Sequence, residues 1–214
     1  MELKVCGMKY DENIKDVAAL QPDYLGFIFW EHSKRYFKDP MPHIPNTIKK
    51  VGVFVDATIE EVILKVKKYR LQAVQLHGEE SPEYCKKLKH ELLSSKHGVS
   101  KIDIIKVFSI RDDFDFNLLT PYESIADFYL FDTKGALPGG NGYTFNWELL
   151  KNYPSTKPYF LSGGIGLTEV ENIAAFLEMP ASKYCQVIDV NSKFEIEPGL
   201  KNVSELKEFR KTVN

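Results

Sequence analysis

The chain has 214 residues, of which 43% are hydrophobic, and a formal net charge of -2 at pH 7. This length and apolar content suffice for one well-buried core, so we expect a single domain over residues 1–214. The nearly balanced charge argues against a general nucleic-acid or membrane-surface binder, which usually carries a basic patch. No apolar run approaches the length of a membrane span. The three cysteines are far apart and lack CxxC spacing, which favours reduced thiols and a cytoplasmic protein.

Short apolar segments alternate with amphipathic segments along the chain. The apolar ones are rich in Val, Ile, Phe and Leu with little alternation, which is typical of parallel strands covered on both faces. In chain order, the predicted strands are Leu3–Cys6, Tyr24–Phe29, Lys50–Asp56, Ala73–His77, Ile102–Val107, Phe128–Asp132, Tyr159–Ser162 and Gln186–Val190.

The segments between the predicted strands show helical spacing. From Ile59 to Val66 the apolar residues recur at i, i+3, i+4 and i+7, and Thr58 is placed to cap that helix. Ser81 followed by Pro82 predicts the start of the next helix. Eight strands separated by helices indicate an α/β fold, a single (βα)8 TIM barrel with parallel strands.

The barrel prediction has one weak helix and one rival architecture. Pro40, Pro42 and Pro45 make the helix after the second strand the least supported one. The rival is an open doubly wound sheet. It gains no support from the turn after the first strand, because residues 6–10 lack the three-glycine dinucleotide fingerprint.

Cys6 and Asp132 each close a predicted strand. In a parallel barrel all strands end at one rim, where catalytic groups lie, so these two would supply the base and the acid of an isomerase or lyase. Each also has a structural interpretation, because Cys6 fits a small buried apolar residue and Asp132 fits a turn cap. Catalysis requires a lowered pKa for the thiol and a raised pKa for the carboxyl.

Further polar residues follow other strand ends. Arg35, close in sequence to Trp30 and Tyr36, fits a guanidinium that holds a carboxylate bidentately beside an aromatic ring, although a solvated loop arginine is the simpler interpretation. His77 is either a turn residue or a contact to substrate. Asp189 is either a structural hydrogen-bonding group or a ligand of substrate hydroxyls.

Two glycine-rich runs lie in loops. Gly163 and Gly164 allow backbone N–H groups to approach a phosphate after the seventh strand, while tight-turn geometry alone also explains them. The run Pro138–Gly142 lacks the Lys and Ser/Thr ending of a P-loop and is interpreted as a mobile cover over the site. The five histidines show no metal-ligand spacing, so we expect no metal site.

Seven sets of motifs occur in an order typical of one known family and span nearly the whole chain. They are Lys4-Val5-Cys6-Gly7, Gly26-Phe27-Ile28-Phe29 with Ser33-Lys34-Arg35-Tyr36, Val51-Gly52-Val53-Phe54-Val55, Gln75-Leu76-His77-Gly78-Glu79, Phe131-Asp132-Thr133-Lys134 with Gly139-Gly140, Leu161-Ser162-Gly163-Gly164, and Asp189-Val190. Together they resemble the phosphoribosylanthranilate isomerase family of tryptophan biosynthesis.

The resemblance implies a single (βα)8 barrel that performs an Amadori rearrangement without metal or organic cofactor. Cys6 resembles the family's general base and Asp132 its general acid. Arg35 would hold the anthranilate carboxylate, and Gly163 and Gly164 would give backbone donors to the phosphate. The partner would be a phosphorylated small molecule, with no nucleic acid and no membrane, and the protein a monomer or a homodimer.

The chain departs from the family pattern at two places. Cys6-Gly7-Met8-Lys9 stands where the family usually has Cys-Gly-Ile-Thr, and Asn191-Ser192-Lys193 stands where it usually has Ser-Ser-Gly. Asn191 and Ser192 are therefore the expected second half of the phosphate site, to which Lys193 adds a charge. His77 and Asp189 complete the expected substrate contacts.

Two alternatives stay open on the sequence alone. The related aminoaldose isomerase of histidine biosynthesis has a similar fold and reaction, but it places an aspartate where this chain has Cys6. A catalytically inactive barrel that binds a phosphorylated metabolite is the other, and the presence of both Cys6 and Asp132 argues against it.

Overall fold

The computed structural model describes residues 1–94, 101–111, 113–133, 144 and 146–213. In these parts of the chain, eight strands form a barrel and five α-helices pack around it. The barrel strands are β1 (Glu2–Val5), β2 (Tyr24–Ile28), β3 (Lys49–Phe54), β4 (Ala73–Leu76), β5 (Asp103–Ile110), β6 (Phe128–Thr133), β7 (Tyr159–Leu161) and β8 (Cys185–Val190). The helices are α1 (Asp11–Ala19), α2 (Ile59–Tyr69), α3 (Pro82–Leu93), α4 (Val170–Leu177) and α5 (Val203–Val213).

The sheet is closed. Each strand pairs in parallel with the next one, and β8 pairs with β1, where Lys4 lies opposite Asp189 and Val5 opposite Val190. The predicted parallel barrel is thus confirmed, and the rival open sheet is wrong. The predicted strand boundaries differ from the observed ones by at most three residues, the largest difference being at the end of β5.

The helix starts follow from local sequence. The Thr58 hydroxyl accepts from the Glu61 N–H at 3.2 Å, and the Glu61 carboxylate accepts from the Thr58 N–H at 3.0 Å, so a reciprocal capping box opens α2. Ser81 Oγ accepts from the Tyr84 N–H at 3.2 Å at the start of α3, whose first residue is Pro82. Both predicted helix starts are confirmed.

Three of the eight units have no α-helix in the described residues. The segment 29–48 after β2 is irregular, as its prolines suggest. After β5 and β6 the chain forms 3₁₀ turns at Phe116–Tyr122 and Trp147–Asn152. No helix in the described chain is both long and apolar enough to cross a membrane.

The barrel interior is layered. Its lower part is an apolar cluster of eight buried residues, Tyr24, Val51, Ala73, Ile105, Val107, Leu130, Phe160 and Val187. Above it lie the buried polar side chains of Lys4, Gln75 and Asp189, each at most 4% exposed. Because alternate residues of a strand share one face, the next inward residues, Cys6 and His77, lie at the carboxyl rim. The fold thus fills its base and leaves polar groups at the rim.

A two-stranded hairpin lies between β8 and α5. Its antiparallel strands are β9 (Glu195–Glu197) and β10 (Leu200–Lys201). Asn13 of α1 anchors it, since the Asn13 side chain accepts from the Lys201 N–H at 2.8 Å and donates to the Lys201 carbonyl at 2.9 Å. The hairpin is therefore fixed against the first helix, beside the rim.

Candidate active site

One cavity opens at the carboxyl rim, with about 730 Å³ of empty space including its open mouth. Its walls include Ile28, Val53 and Trp30 as well as polar groups. The structure brings all nine predicted site residues together in this cavity: Cys6, Arg35, His77, Asp132, Gly163, Gly164, Asp189, Asn191 and Ser192.

Cys6 lies one residue beyond β1 and is only 4% exposed. Its backbone N–H donates to the Val190 carbonyl at 2.8 Å, which holds it against β8. Gly26 of β2 makes room for the thiol, since a Cβ there would stand 2.7 Å from Sγ. The thiol is thus confined to a narrow space at the rim.

The electrostatic surroundings of the Cys6 thiol oppose the expected lowering of its pKa. Burial raises the pKa of Cys6, and the Asp189 carboxylate adds to the increase. The ammonium groups of Lys4 and Lys201 lower the pKa in part, but burial outweighs both cations. The expectation of a lowered thiol pKa is therefore wrong for the protein alone.

Lys4 lies below Cys6 on the same face of β1 and is fully buried. Its Nζ donates to Asp189 Oδ2 at 2.6 Å and to Gln75 Oε1 at 2.7 Å. Burial alone would lower the pKa of Lys4, but Asp189 and Cys6 raise it above its ordinary value, so the ammonium stays charged. Asp189 Oδ1 is buried and has no partner among the described residues. Asp189 therefore has one oxygen in a structural ion pair and one available to a ligand.

Asp132, on β6, is 4% exposed and faces His77. His77 Nε2 lies 3.3 Å from Asp132 Oδ2, and His77 Nδ1 lies 3.2 Å from Gln75 Nε2. The His77 ring thus contacts two side chains, one of them the predicted acid, so its interpretation as a turn residue is wrong.

Arg35 is already paired with a carboxylate that the sequence analysis did not identify. Glu195 Oε1 accepts from Arg35 Nε at 2.8 Å, and Oε2 accepts from Nη2 at 2.6 Å. Burial by itself would raise the pKa of Glu195, but Arg35, Lys201 and the Gly199 N–H lower it below its ordinary value. The pair occupies one edge of the guanidinium, and Nη1 on the other edge donates to no described residue.

Lys201 is the second cation on Glu195. Its Nζ lies 2.7 Å from Glu195 Oε1 and 2.7 Å from Asn191 Oδ1, and its side chain is fully buried. Burial lowers the pKa of Lys201 to about 8, against the opposite pull of Glu195. While Lys201 is protonated, Arg35, Glu195 and Lys201 carry a net charge of one positive unit.

The loop after β7 presents unpaired backbone donors. Gly163 and Gly164 have φ angles of 96° and 72°, which glycine adopts without strain. In the described chain, no acceptor binds the N–H groups of Gly163, Gly164 or Ile165. The Gly166 N–H, by contrast, donates to Glu169 Oε2 at 2.7 Å. Three successive residues with unpaired donors therefore line the cavity, together with Ser192 and Lys193.

The other two cysteines lie away from this cavity. Cys85, inside α3, and Cys185, the first residue of β8, are buried and unpaired. The run Pro138–Gly142, predicted to cover the site, lies outside the described residues. Within the described ranges, no group of three or more His, Cys, Asp and Glu side chains is arranged to hold a metal ion.

The sequence analysis missed Lys4, Gln75, Glu195 and Lys201. Lys4 and Gln75 could have been found from the sequence, because a polar residue inside an otherwise apolar barrel strand indicates a functional role in the barrel interior. Glu195 and Lys201 could not, because Arg35, the functional residue that Glu195 binds, lies 160 positions away in the sequence.

A closed parallel barrel with a buried thiol, a buried carboxyl and unpaired backbone donors around one rim cavity defines an acid–base isomerase of small anionic metabolites. The chain matches, over residues 3–212, the family model described as N-(5'-phosphoribosyl)anthranilate (PRA) isomerase. A relative of that name from Parabacteroides distasonis is 43% identical, with 98% of this chain and 91% of the relative covered. The chain therefore belongs to the N-(5'-phosphoribosyl)anthranilate isomerase family, a family of tryptophan biosynthesis.

Solved structures agree with this assignment. The phosphoribosyl anthranilate isomerase of Thermotoga maritima superposes with a TM-score of 0.81 at 30% identity, covering 99% of this chain and 98% of that one. A further structure shows monomers generated from the dimeric Thermotoga maritima enzyme. A structure of a phosphoribosyl anthranilate isomerase in complex with reduced 1-(o-carboxyphenylamino)-1-deoxyribulose 5-phosphate has a TM-score of 0.76 at 26% identity, covering 99% and 97% of the two chains.

Proposed function

We propose that Cys6 and Asp132 perform in this chain the reaction for which its family is named. N-(5-phosphoribosyl)anthranilate, an aminoaldose, is converted to 1-(2-carboxyphenylamino)-1-deoxyribulose 5-phosphate, a ketose. The observation that carries the proposal is that the thiol and the carboxyl, 126 positions apart in the sequence, line one cavity.

The two ends of the substrate match two parts of the cavity wall. The phosphate binds the N–H groups of Gly163 to Ile165 on one side, and Asn191, Ser192 and Lys193 on the other. Lys193 supplies a positive charge that backbone donors lack.

The anthranilate carboxylate binds the edge of Arg35 that Glu195 leaves open, beside the Trp30 ring. Asp189 Oδ1, which has no described partner, accepts from a ribose hydroxyl, and His77 lines the wall between that group and Asp132. Binding of the phosphate at one end and of the carboxylate at the other fixes the sugar between the acid and the base.

The reaction then moves protons only. Asp132 protonates the furanose ring oxygen, the C1–O bond breaks, and the nitrogen lone pair forms an iminium ion. The Cys6 thiolate removes the proton on C2 and gives an enolamine, which tautomerises to the ketose. Cys6 has then gained one proton and Asp132 has lost one, and exchange with water restores both.

The thiolate form of Cys6 requires stabilisation, because burial of the side chain disfavours its negative charge. Lys4 and Lys201 supply two fixed cations near Cys6, and the iminium ion formed in the first step adds a third positive charge beside the sulfur. Because this third charge exists only after the ring has opened, ring opening precedes proton removal.

The wider setting belongs to the same proposal. One domain over residues 1–214 acts on a phosphorylated small molecule, as a monomer or a homodimer. A cytoplasmic location is supported by Cys6, Cys85 and Cys185, which are all unpaired.

The test removes each proton-transfer group in turn. Cys6→Ala and Asp132→Asn should each lower kcat by about 10² to 10⁴ while KM changes little, because each group acts on the transition state. Cys85→Ala, which removes a thiol outside the cavity, is the control and should keep normal turnover. Near-normal kcat in either catalytic variant would contradict the assignment, and rescue of a tryptophan auxotroph lacking this isomerase checks the activity itself.

A further inference from the structure

The proposed reaction leaves unexplained why two buried polar side chains, Lys4 and Gln75, lie beneath the catalytic pair. Gln75 is 2% exposed and Lys4 is fully buried. With His77 and Asp132 they form a continuous row of polar contacts of 2.7, 3.2 and 3.3 Å across the barrel interior. Buried polar groups of this kind cost free energy unless each donor meets an acceptor, so the row has a preferred direction.

Lys4 sets that direction. An ammonium group has donors only, so the atom of Gln75 that faces Lys4 Nζ at 2.7 Å must be the amide oxygen. The ion pair with Asp189 at 2.6 Å keeps Lys4 charged. The amide orientation of Gln75 is therefore fixed by chemistry, and its NH2 group points to His77.

Gln75 in turn determines the proton position on His77. The NH2 group lies 3.2 Å from Nδ1, and two donors cannot share a hydrogen bond, so Nδ1 must carry the lone pair. The ring is then neutral, with its proton on Nε2. Within 4 Å of Nε2, the charged group in the described chain is Asp132, whose Oδ2 lies 3.3 Å away. The ring is not aligned for a full hydrogen bond here, and catalytic contacts of this kind tighten when substrate binds.

We infer that Gln75 is a positioning residue, which holds His77 in the Nε2–H form, so that in the substrate complex the ring N–H occupies Oδ2 of Asp132 and the transferable proton resides on Oδ1. This inference rests on the proposed role of Asp132 as the acid. The charged groups that face His77 and Asp132 are Lys4 from β1 and Asp189 from β8, and neither competes for His77 Nδ1.

The direct test is the protonation of His77 in the unaltered protein. Nitrogen-15 chemical shifts and one-bond couplings of the His77 ring should show the proton on Nε2 at neutral pH. In Gln75→Glu a carboxylate faces Nδ1, so the proton should move to Nδ1, or both nitrogens should be protonated. A wild-type ring protonated on Nδ1 overturns the inference, whether or not any variant folds.

Kinetics supply the second test. Gln75→Glu should lower kcat by about tenfold to a hundredfold with KM nearly unchanged, because a wrongly placed ring proton affects the transition state. Gln186→Glu, the same chemical change at an exposed position of β8, is the control and should keep normal kcat. Wild-type kcat in Gln75→Glu overturns the inference.

Two substitutions of His77 separate positioning from space filling. His77→Gln can place an amide N–H near the position of Nε2, whereas His77→Asn reaches only the position of Nδ1. We expect His77→Gln to retain more turnover than His77→Asn, and equal losses contradict the inference. Asp132→Asn tests the proposed acid separately from the His77 variants. If Asp132→Asn keeps its turnover, it is the assignment of the acid that fails.

Discussion

Glu195 holds the guanidinium of Arg35 by its Nε–Nη2 edge, at 2.8 and 2.6 Å, and so presents the opposite edge to the cavity. The arginine proposed to bind the substrate carboxylate is thus already paired with a carboxylate of the protein. The arrangement remains net positive because Lys201 binds the same carboxylate at 2.7 Å. Glu195 therefore fixes the direction of Arg35, and Lys201 compensates its charge.

The first prediction concerns the pairing of Glu195 with Arg35. Glu195→Gln should raise KM about tenfold with a smaller change in kcat, because the amide cannot accept from Arg35 with both of its terminal atoms. Two product analogues, one with and one without the ring carboxylate, serve as ligands for comparison. The variant should lose binding affinity only for the analogue that carries the carboxylate. Glu197→Gln, on the same strand but exposed, is the control. An equal loss for both analogues would mean that Glu195 does not act through Arg35.

The second prediction concerns stability and pH. Lys201 has a pKa of about 8 in the folded chain, against 10.5 for an ordinary lysine. Between these values the folded chain binds fewer protons than the unfolded one, so the contribution of Lys201 to stability rises with pH. Relative to Lys201→Met, the wild type should gain about 2 kcal/mol in free energy of unfolding between pH 7 and 9.5, as measured by urea denaturation. If the difference in free energy of unfolding between the two proteins does not change with pH, the lowered pKa of Lys201 is contradicted.

The third prediction concerns the reactivity of Cys6. Since burial raises the pKa of Cys6, alkylation by iodoacetamide should be slow at neutral pH and increase through an inflection above the ordinary thiol value. Peptide mass spectrometry separates Cys6 from Cys85 and Cys185, and Cys6→Ala supplies the blank. In Lys201→Met the inflection should stay nearly in place, because Lys201, with a pKa of about 8, is mostly neutral at the pH where the thiol titrates. An inflection below the ordinary thiol value would show that the cations outweigh burial.

The fourth prediction compares two glycines of one loop. At Gly163 a Cβ would stand 2.3 Å from Thr133 Oγ1 and 2.4 Å from the Thr133 backbone N, and φ is positive. Gly163→Ala should therefore cost about 1–3 kcal/mol of stability and weaken the binding of inorganic phosphate. At Gly166 the first contact is the flexible side chain of Lys193 at 3.0 Å, so Gly166→Ala should be milder in both measurements. Equal effects would contradict a special role for Gly163.

Much of the fold is predictable because the barrel depends on local patterns. Apolar runs mark strands covered on both faces, and Thr58 and Ser81 mark helix starts through hydrogen bonds within one turn. The missing helix after β2 follows from its prolines. The 3₁₀ turns after β5 and β6 were not predictable, because tertiary packing rather than local propensity determines such short segments.

The site was predictable to the extent that it lies at strand ends. Cys6, His77 and Asp132 each follow or close an apolar run, so one rule about parallel barrels places them together. The carboxylate on Arg35 was not predictable, because Glu195 is 160 positions away. Nor was the direction in which the thiol pKa shifts, which depends on burial and on the three charges of Lys4, Asp189 and Lys201.

The ion pair between Lys4 and Asp189 joins the first strand of the barrel to the last, across 185 positions. While the protein is being synthesised, Lys4 emerges from the ribosome long before its counter-ion does. A nascent chain that ends before β8 would have to bury a lone ammonium in order to complete its interior. The barrel can therefore close only after translation has passed Asp189, and assembly of the catalytic rim is one of the last events in its biogenesis.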